Sequence, residues 1–459
     1  MKMLKPWLAI LTIIVFLIGC SKDTATNTSK DEVKEEGNKD AVTITFASWA
    51  LGTEEERNLE RIMIEEFQAQ YPHITVEIDE SISGDWNDAL SAAASANAMP
   101  DVFMLAQIPT GLANDWLLDL NELTENDEDF AQIPEVVRDS ATFEDTVVAL
   151  PKGQNFLGYF VNKDLYNQAN LNVPEHGFAI EEFVNSVRQI TNLNNGVVGI
   201  SNPHSIPDWY PAAANENIGW FTFSDEEYHL DSNEFINGIN LANNIVSNNY
   251  SFDSLTDDQQ ASFNGENDGE VWAAGGTGLR WDGTWAIPNY TENLEFDWDF
   301  IGIPGGRTVI VNDYMGISKS TKHAEEAYLF AKYMSFGKEG YMRRLEVAVE
   351  EDKVVNGLPA SADPEVLDAY FEIQDLPGLR IAYENLENGI IEPVKTVPGY
   401  VQSRWEAPTG VAVGESPNAN ISELLGASIR GEIKIEDYIS QINELANQKY
   451  QEGKEAIGQ

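Results

Sequence analysis

Tryptophan side chains stand beside carboxylate and amide groups at several points of the 459-residue sequence. Examples are Gly84-Asp85-Trp86-Asn87, Pro207-Asp208-Trp209-Tyr210-Pro211 and Arg280-Trp281-Asp282-Gly283. An indole face stacks well on the C–H groups of a pyranose ring, while neighbouring polar groups hydrogen-bond its hydroxyls. The pattern therefore suits sugar binding, with core packing as the alternative for each tryptophan and as the favoured reading for Trp116 and Trp298.

Signatures of catalysis or metal binding are mostly missing from the sequence. The five histidines are not spaced to hold a metal on one helix face, and the common serine-hydrolase and nucleotide-binding motifs do not occur. Cys20 is the only cysteine, which excludes intrachain disulfides and thiolate metal clusters. We expect no catalytic residues, no metal and no cofactor.

The charge balance excludes several classes of partner. The chain has 28 Lys and Arg residues against 76 Asp and Glu residues, a formal charge of −48. Such a surface repels nucleic acid, whose affinity for proteins comes mainly from basic side chains. A chain of this length is also expected to divide into two lobes rather than form a single core.

The first twenty residues predict an export signal that ends in a lipid anchor. Lys2 and Lys5 precede an apolar run over 7–18, and twelve helical residues rise about 18 Å, which is too short to cross a bilayer. Leu17-Ile18-Gly19-Cys20 resembles the bacterial lipobox, which implies cleavage before Cys20 and attachment of diacylglyceryl and palmitate chains to that residue. We therefore predict a signal peptide over 1–19 and a disordered acidic tether over 20–40. The alternative is an ordinary signal peptide followed by an unmodified cysteine.

The remainder of the chain predicts alternating strands and helices. Apolar residues alternate over 42–47 and again over 74–78, and residues 54–70 between them have helical spacing. Together they predict a β-α-β unit with parallel strands. Residues 101–105 predict a strand covered on both faces, and Asn162 is expected to begin a short helix. From Pro364 onward the pattern predicts helices only.

Several motifs, in this order, resemble the extracellular solute-binding proteins of the sugar-binding class, family 1, that serve ABC importers. They are Pro100-Asp101-Val102, Ala149-Leu150-Pro151, Gly158-Tyr159-Phe160-Val161-Asn162-Lys163-Asp164-Leu165-Tyr166, the segment from Phe263 to Trp285, and the segment from Gly316 to Met334. The Asn162–Tyr166 block is the most specific, and the resemblance covers essentially residues 42–450.

The resemblance implies an α/β, two-lobed periplasmic-binding-protein (Venus flytrap) fold with hinge crossovers and a helical C-terminal region. One lobe would consist of residues 41–152 with 312–356, and the other of 153–311 with 357–459. The chain would cross between them near 151–153, 304–312 and 354–359. Ligand would lie in the cleft between the lobes, at the carboxyl ends of the strands.

Topology then selects candidate ligand-binding residues, which follow strands or lie near the crossings. They are Trp49, Thr53, Glu54, Asp85, Trp86, Gln107, Gln154, Asn155, Trp209, Tyr210, Trp220, Trp281, Asp282, Trp285, Asp313, Tyr314 and Trp405. Arg280 and Arg404, each next to a tryptophan, are read either as clamps for a carboxylate ligand or, preferably, as partners of nearby acids.

The implied function is capture of a sugar without chemical change, followed by delivery to ABC permease subunits in the membrane. We expect a neutral oligosaccharide, because the overall field disfavours anions, and a monomer held by lipid on Cys20 at the outer face of the cytoplasmic membrane. That face is extracellular, or periplasmic where an outer membrane exists. The alternatives are a surface polysaccharide hydrolase and the same fold binding a peptide or a polyamine.

Overall fold

The computed structural model describes residues 40–459. The predicted signal peptide, the lipidation site Cys20 and all of the predicted tether except Asp40 lie outside the described residues.

The chain opens with the β-α-β unit that the sequence predicts. Strand β1 (Val42–Ala47) and strand β2 (Ile74–Ile78) pair in parallel, with Ile44 opposite Val76. Helix α1 (Leu59–Gln70) connects them. Its first turn is capped by the Asn58 side chain, and its apolar residues are buried, as their helical spacing indicates. The predicted parallel β-α-β unit is confirmed, but the helix begins at Leu59 rather than at 54, because residues 54–56 form a separate 3-10 turn.

The other strands are mostly short, but two of them, at Leu150–Asn162 and Val309–Ile317, are long enough to belong to both lobes. They are β3 (Val102–Leu105), β4 (Thr142–Phe143), β5 (Thr146–Val147), β6 (Leu150–Asn162), β7 (Val198–Ile200), β8 (Phe223–Ser224), β9 (Glu227–Tyr228), β10 (Thr277–Gly283), β11 (Trp298–Gly302), β12 (Val309–Ile317) and β13 (Ile390–Ile391).

Helices cover the sheet and form most of the C-terminal part. They are α2 (Trp86–Ser95), α3 (Ile108–Ala113), α4 (Asn121–Thr124), α5 (Glu128–Ala131), α6 (Glu135–Asp139), α7 (Lys163–Gln168), α8 (Ile180–Ile190), α9 (Ile206–Ala214), α10 (Asn233–Ser247), α11 (Asp257–Gln260), α12 (Asp268–Ala273), α13 (Ile287–Asn293), α14 (Ala324–Met334), α15 (Lys338–Glu350), α16 (Pro364–Ile373), α17 (Pro377–Glu384), α18 (Ile421–Ile429) and α19 (Ile439–Ala456).

Nine strands form one sheet in the order β2-β1-β3-β12-β6-β10-β7, with β11 beside β6 and β13 beside β12. Strands β1 to β3 belong to what we call the first lobe, and β7, β10 and β11 to the second lobe. The prediction that everything after Pro364 is helical is wrong at β13 and also over residues 407–420, which form irregular chain. Ile390 and Ile391 continue the sheet by pairing with Val309 and Ile310, because an apolar pair beside an open strand edge gains hydrogen bonds there.

Three stretches of chain connect the lobes side by side. Strands β6 and β12 run antiparallel, with Gln154 opposite Asn312. The third stretch exchanges backbone hydrogen bonds with the first, because Leu358 N donates to Gln154 O at 2.7 Å and Gln154 N donates to Leu358 O at 3.3 Å. The register of β12 on β6 shifts between Asp313 and Tyr314, which is the kind of irregularity that bends and twists a strand.

Two large apolar clusters fill the molecule. One packs α1, α14 and α15 against β1 and β3, and the other packs α8, α9, α10 and α19 around β7 and β10. Asn162 caps α7 as predicted, since its side-chain oxygen accepts a hydrogen bond from Leu165 N at 3.2 Å. Within residues 40–459, no helix is both long and apolar enough to cross a membrane.

Candidate functional site

A pocket of about 300 Å³ opens on the second lobe, and three of the predicted tryptophans line it. Trp220 and Trp281 stack with their ring centroids 6.2 Å apart and their planes 21° from parallel. Trp405 lies in a short helical turn at 402–406 and is 40% exposed. Trp220 itself is only 4% exposed. Aromatic side chains around a concave surface are typical of sites for ring-shaped ligands. We call this cavity the tryptophan pocket.

A buried ion pair forms part of the wall of the tryptophan pocket. Arg404 Nη1 lies 2.6 Å from Asp208 Oδ1, and the guanidinium lies 4.1 Å from the centre of the Phe221 ring. The pair is not aligned as a hydrogen bond, and Arg404 Nε also has no hydrogen-bond acceptor among the described residues. Buried donors of this kind are normally satisfied, so the Arg404–Asp208 contact is incomplete within the protein.

Glu392 lines the same pocket and is partly buried. Burial raises the pKa of its carboxyl to about 7, and the nearby Asp208 carboxylate adds to the effect. One carboxylate oxygen accepts a hydrogen bond from Val394 N at 3.2 Å. Lys395 is directed elsewhere, since its ammonium lies 2.6 Å from Asp313.

A second cavity, of about 520 Å³, lies where the connecting stretches meet the first lobe. The candidates Asn155, Trp285 and Asp313 line it, together with Glu60 and Lys152. Asn155 Oδ1 accepts from Thr284 Oγ1 at 3.0 Å, and Trp285 is 47% exposed. We call this the hinge pocket.

The first lobe contributes two contacting tryptophans. Trp49 is 42% exposed and meets Trp86 edge-on, with the centroids 5.0 Å apart. Trp86 Nε1 donates to Met104 O at 2.8 Å, so its ring is fixed to β3. Trp49 is followed by Ala50, which lines the hinge pocket.

The remaining first-lobe candidates are polar and shape the local backbone. Asp85 caps α2 by accepting from Asp88 N at 3.2 Å, and Thr53 and Glu54 are exposed in the loop after β1. Gln107 accepts from Thr110 Oγ1 at 3.0 Å and lines a third cavity, of about 490 Å³, between α3 and the C-terminal segments.

Several candidates lie where ligand contact is restricted. Trp209 is fully buried and donates from Nε1 to Tyr159 OH at 3.1 Å. Tyr314 is also buried, and its hydroxyl lies 2.6 Å from Ser140 Oγ. Gln154 is fully buried and donates from Nε2 to Pro359 O at 2.6 Å, so it fastens the third connecting stretch.

Two further candidates face other second-lobe groups. Tyr210 is half-buried, and its Cβ packs over Gly238 of α10. Asp282 accepts from Tyr290 OH at 2.6 Å, and its neighbour Arg280 lies 2.5 Å from Asp268. Arg280 and Arg404 thus each pair with an acid, as the preferred interpretation of the sequence has it.

Asp208, Glu392 and Tyr400 line the tryptophan pocket but were absent from the predicted set. Asp208 directly precedes Trp209 in a segment with a proline at each end, and a carboxylate next to a tryptophan is a sequence signal for sugar binding. Glu392 directly follows strand β13. Because only helices were predicted in this region, the position of Glu392 at the end of a strand was not anticipated. The described residues contain no cluster of three or more His, Cys, Asp or Glu side chains that could hold a metal ion.

Comparison with known proteins places the chain among binding proteins. The family model described as "Bacterial extracellular solute-binding protein" matches residues 50–336. No curated protein sequence matches the chain.

Solved structures share the fold at low sequence identity. An ABC substrate-binding protein of Listeria monocytogenes in complex with cycloalternan has a TM-score of 0.64 and 20% identity, covering 89% of this chain and 99% of that one. The GacH receptor of Streptomyces glaucescens, studied with acarbose, has a TM-score of 0.64 and 16% identity, covering 90% and 99%. The sugar-binding protein MalE of Xanthomonas citri has a TM-score of 0.65 and 14% identity, covering 89% and 98%. These similarities confirm the two-lobed α/β fold class that was predicted from the sequence.

Proposed function

Because the chain belongs to the family of bacterial extracellular solute-binding proteins, we propose that it captures an oligosaccharide between its lobes and delivers it to an ABC permease. The observation that carries the proposal is the exposure of large indole surfaces around the cavities. Trp49, Trp285 and Trp405 are 42%, 47% and 40% exposed. Aromatic faces left in water beside carboxylate, amide and guanidinium groups match the alternating apolar and polar surfaces of a sugar.

The similar structures support a saccharide ligand. The Listeria monocytogenes protein was solved with cycloalternan, and the Xanthomonas citri protein is described as sugar-binding. The acidic composition is consistent with this choice, since a chain of charge −48 repels anionic solutes.

Binding would operate by closure of the lobes, which we propose to be residues 41–152 with 312–356 and residues 153–311 with 357–459. A ligand that contacts both lobes only in the closed form stabilises that form by its differential affinity. The tryptophan pocket supplies the second-lobe contacts, and Trp49 supplies the first-lobe contact. The permease would then recognise the closed, loaded protein, and no covalent bond of the sugar would change.

We further propose that a lipid on Cys20 holds this monomeric protein at the outer face of the cytoplasmic membrane. The lipobox resemblance supports the modification, and two acyl chains are sufficient for stable anchoring where one is not. Replacing Cys20 with serine should move the protein from the membrane fraction to the medium or periplasm. Mass spectrometry of the membrane form should find the diacylglyceryl modification, and an unmodified Cys20 there would contradict anchoring.

Isothermal titration calorimetry against a panel of plant and microbial oligosaccharides tests the proposed function. We expect one class of sugar to bind with a dissociation constant on the order of micromolar, about −8 kcal/mol. Trp285→Ala should weaken that binding, whereas Val349→Ala, at a 68% exposed position away from the three cavities, should not. Absence of heat with every sugar would contradict the proposal.

Recovery of the ligand separates binding from turnover. After long incubation the bound oligosaccharide should be recovered unchanged by chromatography. Shortened products would instead favour the polysaccharide-hydrolase alternative, which requires two carboxyl groups placed about a glycosidic bond.

A further inference from the structure

The charged groups around the tryptophan pocket pair with one another except for one. Arg404 lies 2.6 Å from Asp208, and Lys395 lies 2.6 Å from Asp313. Among residues 40–459, no Lys, Arg or His side chain lies within ion-pair distance of Glu392. Its one hydrogen bond is to a backbone N–H, that of Val394. When Glu392 is ionised, the pocket wall therefore carries one unbalanced negative charge.

The charged groups that face Glu392 act on its carboxylate in opposite directions. Asp208 of α9 repels a negative charge on Glu392, while Arg404 and Lys395 attract it from beyond contact distance. Burial raises the pKa values of the Tyr314 and Tyr400 hydroxyls and the Glu392 carboxylate adds to the rise, so both tyrosines remain neutral. A partly buried carboxylate loses hydration, and a bound cation can offset that cost.

The indoles of the pocket can receive a sugar ring and its ammonium group, and one of them, Trp405, already has the Arg404 guanidinium 5.3 Å from its ring centre. Trp220, Trp281 and Trp405 surround the space, and indole faces attract ammonium groups as well as pyranose C–H surfaces. The net charge of −48 raises the local concentration of cationic solutes.

We propose that the tryptophan pocket accepts a saccharide that carries a protonated amino group, with the ammonium on Glu392 and the sugar ring against the indoles. This inference deepens the proposed function and rests on it, and it replaces the neutral ligand expected from the sequence with an amino sugar. A linear polyamine fits less well, because several ammonium groups require several unpaired carboxylates and this wall provides one.

Matched sugars that differ only at the amino group test the proposal. Glucosamine and its β-1,4-linked oligomers of up to about four residues are titrated calorimetrically near pH 7, each against its N-acetylated counterpart. We expect at least one amino sugar to bind about tenfold more tightly than its acetylated form, since a charged hydrogen bond is gained. Raising the salt from about 50 mM to about 500 mM should weaken only the amino sugar.

Glu392→Gln keeps the shape of the side chain and removes its charge. It should abolish the preference for the amino sugar while leaving the acetylated sugar unchanged. Glu436→Gln, at an exposed position of the second lobe, is the matched control and should retain the preference. Thermal unfolding of both variants checks that they are folded.

Three outcomes would overturn the inference. Equal or tighter binding of the acetylated sugars would exclude an ammonium site, and an equal loss of both sugars in Glu392→Gln would assign Glu392 to hydroxyl binding. Binding of some other, neutral oligosaccharide without any amino sugar would remove this inference and leave the proposed function standing. Absence of binding with every sugar would contradict both this inference and the proposed function.

Discussion

Each lobe buries an arginine against a carboxylate, and the two arrangements differ in how completely their atoms are used. In the first lobe, Arg344 binds Glu60 through both nitrogens, at 2.5 and 3.3 Å, and also donates to Met334 O at 3.1 Å. In the second lobe, Arg404 contacts Asp208 at 2.6 Å but leaves Nε and Nη1 without an aligned acceptor. The hydrogen bonds of the first arrangement are complete within the protein, whereas the second leaves two buried nitrogens of Arg404 without a hydrogen bond.

The nearby glutamates show the same contrast in their protonation. Burial opposes the ionisation of Glu60, but Arg344 and Lys152 prevail and lower the pKa of its carboxyl to about 2. Glu392 has no such partner, and burial raises its pKa to about 7. The Glu60 carboxylate has its cations within the protein and contributes to the stability of the fold. The Glu392 carboxylate lies in a cavity without such a cation, which indicates a binding site, because a ligand can supply the missing partner.

The largest expected effect is the loss of stability when the Arg344–Glu60 pair is broken. Arg344→Ala leaves Glu60 buried beside Lys152 alone, so we expect the free energy of unfolding to fall by about 3–5 kcal/mol. Urea denaturation measures this loss. Arg343→Ala is the matched control, because that partly exposed arginine pairs with Glu66 at the surface and should cost no more than about 1 kcal/mol. Equal losses of unfolding free energy in Arg344→Ala and Arg343→Ala would contradict the expected difference between the buried pair and the surface pair.

The next effect distinguishes the two glutamates by pH. Glu60, with its lowered pKa, stabilises the folded protein above about pH 4.5, and this contribution is lost as the pH falls towards 2. Glu392, with its raised pKa, has the opposite sign: the folded state loses stability as the pH rises from about 4.5 to about 7.

Glu392→Gln should therefore stabilise the unliganded protein near pH 8 by up to about 3 kcal/mol, the equivalent of this pKa difference, with little effect near pH 5. Glu60→Gln should destabilise it at both values. Unfolding in urea at the two pH values measures these changes. A Glu392→Gln variant that is less stable near pH 8 would show that Glu392 has a cation partner in the folded state.

Breaking the incomplete pair should affect binding as well as stability, since Arg404→Ala also leaves the largely buried Asp208 without its cation. Arg404→Ala removes charged donors from the tryptophan pocket, so we expect affinity for the cognate sugar to fall by about 2 kcal/mol, roughly 30-fold. Titration calorimetry of the variant tests this, and Arg430→Ala, an exposed arginine that pairs with Glu432, provides the control. Unchanged affinity in Arg404→Ala would assign the Arg404–Asp208 pair to folding alone.

The smallest effect belongs to a single ring at the edge of the pocket. Trp405 contacts Tyr400 edge-on, with the centroids 5.6 Å apart, and much of its surface is exposed. Trp405→Ala should weaken sugar binding by about 1 kcal/mol with little loss of stability. Quenching or shift of tryptophan fluorescence on sugar addition should also diminish in this variant. A large loss of stability would identify Trp405 as a packing residue.

Much of the fold could be predicted because it follows from local patterns. Alternating apolar residues gave β1 and β2, and the capping residue Asn162 gave the start of α7. Strand β13 could not be predicted, because two residues are too few for a periodic signal and their pairing with β12 depends on a distant part of the chain.

The candidate site was harder to predict than the fold. Trp220, Trp281 and Trp405 line one pocket as a group, but residue type could not distinguish them from Trp209, which stands next to an aspartate in the sequence and lies in the core. The pairing of Arg404 with Asp208 joins residues far apart in the chain, and only folding determines which of the many acids is the partner.

The three connecting stretches between the lobes also determine how the protein responds to proteases. Gln154 ties the third stretch to β6 through Leu358 and Pro359, while β6 and β12 remain joined by their own ladder. A single peptide cleavage near Gly357 would leave two covalent links and these hydrogen bonds in place. The nicked chain should therefore elute as one particle from a sizing column and separate into fragments only in denaturant.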